Sequence, residues 1–527
     1  MIVPPRASVK SETGWRPGGP RDVDCLLGVC RVRCRMEFCD LDHHVLRHRV
    51  FQLFERISAV PRCSGREEAV AGEVIAIARE HGLSASRSTA GNVIVAVPGT
   101  RPAAPGRDAA GKTPLVLQAH LDMVCEKDPG TEHDFSRDPI RVVRDGEWLR
   151  AVGTTLGADD GIGVALALAV AIGVRDDVGG AGLELLFTVN EEAGMSGARA
   201  VGPGTIRGRR MVNLDSEFDG QIVTGCAGNR GVVVELPVKS ENLSFPGCAR
   251  LRVGGLRGGH SGVDIHRRRA NAIVLLCDVV RRINARSDLG DVRVAAMSGG
   301  EAGNAIPRNA EAVISVPNAD DTEIRRTVSR AATELRSEYP DEKSLEIDIV
   351  PDSHDARRVV TVEDGERIVS LVRSLPCGPI ELRQDGVETS ASIGRMELTD
   401  RVCRVSVSLR GHESAGIERV TETIRSAARE FGATAAVSGE YAPWPSSRSA
   451  LADACEKAWV AATGERPLVA PVHAGLECGI IAAAVPGLEA VAIGPTVEYA
   501  HSPFERLSIA STLRVYRFLL ELCRGIA

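Results

Sequence analysis

Histidine and carboxylate side chains occur in five short segments whose composition suits metal chemistry. They are His120 and Asp122 in "QAHLDM", Asp159 and Asp160 in "LGADDGIG", Glu191 and Glu192 in "NEEAG", Asp215 in "NLDSE", and His501 in "YAHSP". Two imidazoles with three or four carboxylates suit zinc, and carboxylates also accept manganese or cobalt. When two ions are bound, one carboxylate must bridge them, and an unbound neighbour can act as general base on water. The segments therefore predict a two-metal hydrolytic site.

Each segment taken alone also has an ordinary structural explanation. An aspartate at the beginning of a helix commonly caps it, and loop carboxylates often bind only backbone amides. His120 and Asp122 could equally be a strand end with a satisfied imidazole and a solvated carboxylate. The metal interpretation depends on all the segments meeting at one edge of one sheet.

The surrounding elements predict such an edge. The segments "PLVLQAH", "GLELLFTVN" and "RRMVNLDS" have the apolar character of buried strands, and "GIGVALALAVAI" is typical of a buried helix. Alternation of strand and helix predicts an α/β fold with a mainly parallel central sheet flanked by helices. Ligands bind beyond the carboxyl ends of the strands in such sheets. The acidic and histidine segments follow these predicted strands directly.

The middle of the chain has a different pattern. Segments such as "ARLRVGGL", "AEAVISV" and "RVCRVSVSLR" alternate like half-exposed antiparallel strands, and amphipathic helices lie between them. We therefore predict an inserted α+β lid domain over 231–430, between two parts of the catalytic domain at 41–230 and 431–527. Residues 1–40 are rich in Pro, Gly and Arg and are predicted to be a flexible tail, with Met36 as a candidate start.

Composition narrows the function classes. The chain has 527 residues and a net charge of -6, which argues against a general nucleic-acid binder. No apolar run is long enough for a membrane span, and the N-terminus lacks a secretory pattern. The 14 cysteines are scattered, which predicts a reducing cytoplasm and not a disulfide scaffold. Cys125, Cys226 and Cys478 lie near the motifs and are interpreted as small buried fillers.

The motifs taken together resemble a known family. In chain order, "LVLQAHLDMVCEK", "GTTLGADDGIGVALAL", "NEEAGMSGA", "GLRGGHSGVDIH", "HAGLECG" and "GPTVEYAHSPFE" resemble the M20 metallopeptidases, and within them the aminoacyl-histidine (Xaa-His) dipeptidase branch. The resemblance extends over residues 45–525. It implies metal ligands at His120, Asp159, Glu192, Asp215 and His501.

The resemblance also implies a role for each member of this set. Asp159 bridges the two metals and is followed by a cis peptide bond. His120 and Asp215 bind one metal, and Glu192 and His501 bind the other. Asp122 orients His120 as a hydrogen-bonding partner. Glu191 is the general base.

Further residues are implied by the same resemblance. His260 in "GGHSG" stabilises the oxyanion, commonly in the partner subunit's site, although a turn histidine in a Gly-rich loop is an alternative. Asn304 and Arg410 hold the carboxylate of the substrate, for which an arginine fork is well suited. Glu477 lines the substrate pocket and is a candidate to meet a free amino terminus.

The resulting expectation is a hydrolase of unblocked dipeptides, with a C-terminal histidine preference that depends on the resemblance alone. A metal-bridged water, two divalent ions with zinc as first choice, and Glu191 as base would perform the reaction. Small peptides are the expected partners, without nucleic acid or membrane, and the lid can mediate a homodimer. Two alternatives stay open: another M20 activity (aminoacylase, carboxypeptidase or broad dipeptidase), or a non-catalytic binding protein.

Overall fold

A computed structural model describes residues 48–99, 113–174, 182–242, 248–286, 291–300, 302–315, 321–352, 358–384 and 386–526. The predicted tail and Met36 lie outside these ranges. Within them, no helix combines the length and the apolar character that crossing a bilayer requires.

The helices of the described ranges agree closely with the periodic segments of the sequence. They are α1 (Arg49–Ser58), α2 (Glu68–Glu80), α3 (Ala158–Val174), α4 (Ser196–Arg199), α5 (Ala272–Asn284), α6 (Asp321–Glu338), α7 (Val362–Ser374), α8 (Ser414–Glu430), α9 (Ala450–Thr463), α10 (Glu477–Ala484) and α11 (Ile509–Ile526), with a 3-10 turn at Ile265–Arg267. The small and aliphatic residues of α3 are almost all buried, so this helix packs inside the molecule.

The strands fall into two large sheets and three small ones. In chain order they are β1 (Ser84–Arg87), β2 (Val93–Val97), β3 (Leu115–His120), β4 (Val142–Asp145), β5 (Trp148–Ala151), β6 (Leu183–Thr188), β7 (Arg210–Asn213), β8 (Gln221–Cys226), β9 (Gly228–Pro237), β10 (Ser240–Asn242), β11 (Cys248–Gly254), β12 (Gly259–His260), β13 (Arg293–Gly299), β14 (Ala305–Ile306), β15 (Ala310–Ser315), β16 (Glu346–Asp352), β17 (Arg358–Val360), β18 (Gly378–Arg383), β19 (Gly386–Leu398), β20 (Val402–Gly411), β21 (Thr434–Tyr441), β22 (Leu468–Val472), β23 (Glu489–Ala492), β24 (Val497–Glu498) and β25 (Arg506–Ser508).

The first large sheet has eight strands in the order β1-β2-β6-β3-β7-β23-β8-β22. At its centre β3 runs parallel to both β6 and β7, and β7 runs parallel to β23. Every residue of β3 and β6 is buried, as expected for strands covered on both faces. The pairs β1–β2 and β2–β6 are antiparallel. The predicted α/β class with a mainly parallel centre is confirmed, and the carboxyl ends of β3, β6 and β7 meet at one edge.

The second large sheet has nine strands, and its pairs are antiparallel. It shares one hydrophobic core with the helices α5 to α8, represented by Leu276, Val328, Ile368 and Ile424 packed with Val405 of β20. Its strands lie between β8 and β22 in the chain, so the α+β part is inserted into the α/β part, as predicted. The numerical boundaries of the lid stay a prediction.

One cysteine assignment was wrong. Cys125 is not a buried filler, because it forms a disulfide with Cys63, 62 positions earlier. The segment after α1 lies beside the segment after β3, where the amide of Met123 donates to the carbonyl of Arg62. This neighbourhood is tertiary and has no signal in cysteine spacing. Cys226 and Cys478 are free and buried, as predicted.

Candidate metal centre

The predicted ligands converge at the carboxyl edge of the eight-stranded sheet. His120 is the last residue of β3, Glu191 and Glu192 follow β6, and Asp215 follows β7. Asp159 comes from the beginning of α3, where the Asp159–Asp160 peptide bond is cis, as the family resemblance implies. His501 lies in the loop between β24 and β25. The structure therefore brings all five predicted ligands into one place.

Asp159 lies between the two histidines. Its Oδ1 is 2.9 Å from His120 Nε2, and its Oδ2 is 3.0 Å from His501 Nε2. Each histidine nitrogen also faces a second carboxylate: His120 Nε2 is 3.7 Å from Asp215 Oδ1, and His501 Nε2 is 2.9 Å from Glu192 Oε1. The arrangement has two halves that share Asp159, as a bridged pair of cations requires.

The donor set fits two divalent cations. A neutral imidazole nitrogen carries at most one proton, yet each Nε2 atom faces oxygens of two carboxylates. A cation at the centre of each set would satisfy all of these atoms at once. The possible ligand atoms of His120, Asp159 and Asp215 lie within 4.8 Å of one another, and the same holds for Asp159, Glu192 and His501. Imidazole and carboxylate ligands in this number suit zinc.

Asp122 connects His120 to the glutamate pair. Its Oδ1 lies 3.4 Å from His120 Nδ1 and accepts a hydrogen bond from the amide of Glu191 at 2.9 Å. Its Oδ2 accepts hydrogen bonds from the amide of Glu192 at 3.2 Å and from the hydroxyl of Ser64 at 2.7 Å. Burial alone would raise the pKa of Asp122, but these hydrogen bonds outweigh it and hold the pKa at about 2. Asp122 is therefore an anion held beside the His120 ring, and its predicted role in orienting that ring stays a prediction.

Glu191 lies at the same edge: its carboxyl forms a third group with possible ligand atoms of His120 and Glu192 within 4.8 Å of one another, but it is in neither of the two groups that share Asp159. Burial raises the pKa of its carboxyl well above the ordinary value; the charge of His120 lowers it, and the charges of Glu192 and Asp215 raise it further. A carboxylate with a raised pKa accepts a proton more readily at neutral pH, which is what general-base catalysis needs.

Two buried residues that the sequence did not reveal hold the Asp159 segment. The Glu505 carboxylate accepts four consecutive amides, those of residues 156–159, at 2.7 to 3.3 Å. The fully buried Arg62 guanidinium donates to the carbonyls of Leu121, Asp122 and Gly157. Glu505 follows His501 by four residues in "HSPFE", but its residue type gave no indication of this role. The sequence around Arg62 gave no indication of its role either.

Glu217 was also missed. It belongs to "NLDSE", in which only Asp215 was assigned. Burial raises the pKa of Glu217 well above the ordinary value, and the negative charge of Asp159 raises it further, while His501 lowers it. Its carboxyl group therefore lies in the electrostatic field of the same centre.

His260 and Arg410 form a second polar site in the inserted part. His260 Nδ1 accepts the amides of Gly262 and Val263 at 3.3 and 3.0 Å, which assigns the proton of the neutral ring to Nε2. Arg410 Nη2 lies 3.3 Å from that Nε2. Two donors therefore face each other, an arrangement that an anionic oxygen between them would stabilise.

The surroundings of this pair favour an anion. Burial lowers the pKa of His260 well below its usual value, and the charges of Arg410 and His501 lower it further. Arg410 is only 5% exposed, donates to the Tyr441 hydroxyl at 3.4 Å, and faces no carboxylate within ion-pair distance among the described residues.

Asn304 and Glu477, the other two residues predicted to bind substrate, lie in contrasting surroundings: one is exposed and the other is buried. Asn304 is exposed, and its carbonyl accepts the amide of Ser261, next to His260. Glu477 is fully buried at the first position of α10, and its Oε2 accepts Gln118 Nε2 and Thr188 Oγ1, both at 2.6 Å. The predicted roles of both residues stay predictions.

Comparison with known proteins agrees with this geometry. The model of peptidase family M20/M25/M40 matches residues 116–525. A cytosol non-specific dipeptidase of Escherichia coli (strain K12) is 33% identical over 484 residues, which cover 90% of this chain and 97% of the relative. An aminoacylhistidine dipeptidase structure from Vibrio alginolyticus is 31% identical, with a TM-score of 0.69 and coverage of 92% of this chain and 98% of that chain. Human carnosine dipeptidase 1, at 14% identity and a TM-score of 0.50 over 92% and 98% of the two chains, shares the fold.

These findings fix the class of protein, a hydrolase that acts on peptide bonds. The chain belongs to peptidase family M20/M25/M40, so the resemblance predicted from the motifs is confirmed.

Proposed function

We propose that the protein is a metal-dependent dipeptidase that hydrolyses unblocked dipeptides, with Xaa-His as the preferred class. The observation that carries the proposal is Asp159 between His120 and His501, with Glu191 beside the ligand set. The two dipeptidases at 33% and 31% identity support dipeptides as substrates. The name of the Vibrio relative supports the histidine preference.

In the proposed reaction each residue has one task. His120, Asp159, Glu192, Asp215 and His501 would hold two divalent cations, zinc first and manganese or cobalt as alternatives. When bound, such a pair makes water a nucleophile at neutral pH and polarises the scissile carbonyl. Glu191 takes the proton from the attacking water and passes it to the leaving amine. His260 Nε2 donates to the developing oxyanion. Arg410 and Asn304 hold the carboxylate of the C-terminal residue.

The location and assembly of the protein are part of the proposal. The name of the Escherichia coli relative supports the cytoplasm, and small peptides are the proposed partners, without nucleic acid or membrane. A homodimer through the inserted domain is proposed as well. In such a dimer His260 would serve the site of its own chain or, as the family resemblance implies, that of the second copy.

The proposal is tested with a substrate panel before and after chelation. Gly-His, β-Ala-His, Ala-Ala, a tripeptide and an N-acetylated amino acid would be incubated with chelated protein and then with added zinc, manganese or cobalt. We expect cleavage of the histidine dipeptides only after metal is restored, with the tripeptide and the acetyl compound intact. Cleavage of the acetyl compound alone would indicate an aminoacylase, and no cleavage with any metal would contradict the proposed enzyme.

Arg410 gives a sharper test of the substrate's orientation. Replacing Arg410 with methionine should raise KM for Gly-His by about 10- to 150-fold, because a hydrogen bond to a charged group contributes about 1.5 to 3 kcal/mol. The Gly-His amide, which lacks the carboxylate, should be a poor substrate for wild type and no worse for the variant. Both substrates would be compared by steady-state kinetics.

The matched control is Arg404→Met on the same strand. Arg404 is 53% exposed and pairs with Glu235 at 2.6 Å, so its loss should leave both substrates unaffected. Equal losses on the free acid and the amide in Arg410→Met would show that Arg410 does not recognise the carboxylate.

A further inference from the structure

A chain of buried polar side chains crosses the central sheet just beneath the candidate metal centre. Its members come from three adjacent strand ends and from the beginning of α10, and none is exposed to solvent. They are Gln118, Thr188, Asn213 and Glu477. Polar side chains at 0% exposure in a sheet interior destabilise the fold unless they are hydrogen-bonded, so their contacts require an explanation.

We call these four residues the buried belt. The hydrogen bonds of the belt run in one direction, from Asp215 toward Glu477. The amide of Asp215 donates to Asn213 Oδ1 at 3.3 Å, and Asn213 Nδ2 donates to Gln118 Oε1 at 2.7 Å. Gln118 Nε2 donates to Glu477 Oε2 at 2.6 Å and approaches Thr188 Oγ1 at 3.2 Å. The Thr188 hydroxyl donates to the same Glu477 oxygen at 2.6 Å. The donors of Gln118 and Thr188 therefore meet at one Glu477 oxygen, and the Thr188 hydroxyl also lies 3.3 Å from the Ala119 carbonyl.

Each strand residue of the belt lies just before a candidate metal-site residue. Gln118 is two residues before His120, and Asn213 is two residues before Asp215. Thr188 is the β-sheet partner of His120 and lies three residues before Glu191. The backbone is paired here as well: Gln118 is the β-sheet partner of Asn213, and the amide of Leu121 donates to the Thr188 carbonyl at 2.8 Å. The belt therefore fixes the positions of the carboxyl ends of β3, β6 and β7 relative to one another.

We infer that this belt is a positioning network, in which Glu477 gathers the donors of β3, β6 and β7 and so sets the spacing of the metal-binding residues that follow them. This inference rests on the proposed metal site. It gives Glu477 a different task from meeting the substrate's amino terminus, and it connects the loop before α10 to the centre without any contact to substrate. Residues that orient metal ligands typically change metal affinity by about 10- to 100-fold when replaced.

Thr188 provides a matched pair of variants. Thr188→Val keeps the shape of the side chain and removes the hydroxyl, whereas Thr188→Ser keeps the hydroxyl and removes the methyl group. If the residue only packs, serine is the more harmful change; if it positions the strand ends, valine is. Zinc dissociation constants measured by calorimetry on the chelated proteins should rise about 10- to 100-fold for valine and stay close to wild type for serine. In steady-state assays, kcat should fall for valine with little change in KM.

A second measurement does not depend on metal or peptide. In the chelated protein, hydrogen exchange at the amides of Leu121 and Asp215 should be faster in Thr188→Val than in Thr188→Ser and wild type. Glu477→Gln removes the negative charge on which the donors of Gln118 and Thr188 meet, so it should weaken zinc binding as Thr188→Val does, without a selective change in KM. Failure of wild type to bind zinc would contradict the proposed function, whereas equal exchange rates in the two Thr188 variants would overturn the belt. A selective rise in KM for Glu477→Gln would also overturn it, in favour of amino-terminus binding.

Discussion

Replacing Glu191 with glutamine should lower kcat for dipeptides by about 100- to 10,000-fold, the usual contribution of a positioned acid–base group. The amide has nearly the same size but cannot accept the proton from water. Bound metal should stay at the wild-type level, because Glu191 lies outside both halves of the set around Asp159. Metal content by elemental analysis and turnover of Gly-His would be measured on the same samples.

The neighbouring residue supplies the control. Glu192→Gln makes the same chemical change one position later, where Glu192 Oε1 lies 2.9 Å from His501 Nε2. This variant should lose metal as well as activity. If Glu191→Gln hydrolysed dipeptides as fast as wild type, or if it lost metal as Glu192→Gln is expected to, the assignment of the base would be wrong.

The second large effect is expected at Asp159. Asp159→Asn should weaken metal binding by at least about 100-fold, beyond the 10- to 100-fold typical of residues that merely support a ligand. The reason is that, of the residues the structure describes, Asp159 alone contacts both histidines, at 2.9 and 3.0 Å, so the substitution removes a shared negative charge from both halves at once. Zinc titration of the chelated protein would measure the loss.

Asp160→Asn is the matched comparison for Asp159→Asn. Asp160 is also buried, but within the described ranges it accepts only the backbone amides of His120 and Gly163. The asparagine oxygen can keep one of these bonds, so its effect on zinc affinity should be much smaller. Equal losses in the two variants would contradict a bridging role for Asp159 in particular.

Local patterns made most of the fold and the ligand set predictable. The apolar runs that end in His120, Thr188 and Asn213 identified buried strands, and the parallel arrangement then placed the residues after them at one edge. His501 lies in a loop without periodicity, so its position depended on the family resemblance and not on a strand pattern.

Contacts between distant segments were not predictable from the same patterns. Glu505 binds amides 346 to 349 positions away, and Arg62 reaches the carbonyl of Gly157 from 95 positions away. The Cys63–Cys125 bond follows from the same tertiary neighbourhood. These residues have ordinary surroundings in the sequence, and only the folded chain shows that a buried carboxylate or guanidinium meets unsatisfied backbone groups there.

The insertion of one sheet within the other has a consequence for biosynthesis. Asp159 and His501 are 342 positions apart, and the nine-stranded sheet lies between them in the chain. A ribosome makes the strand ends with His120, Glu192 and Asp215 long before it makes His501 and Glu505. A nascent chain therefore carries an incomplete centre throughout synthesis of the inserted part. In the proposed mechanism, peptide-bond hydrolysis would therefore begin only when translation is nearly finished, because the proposed ligands are spread along the chain.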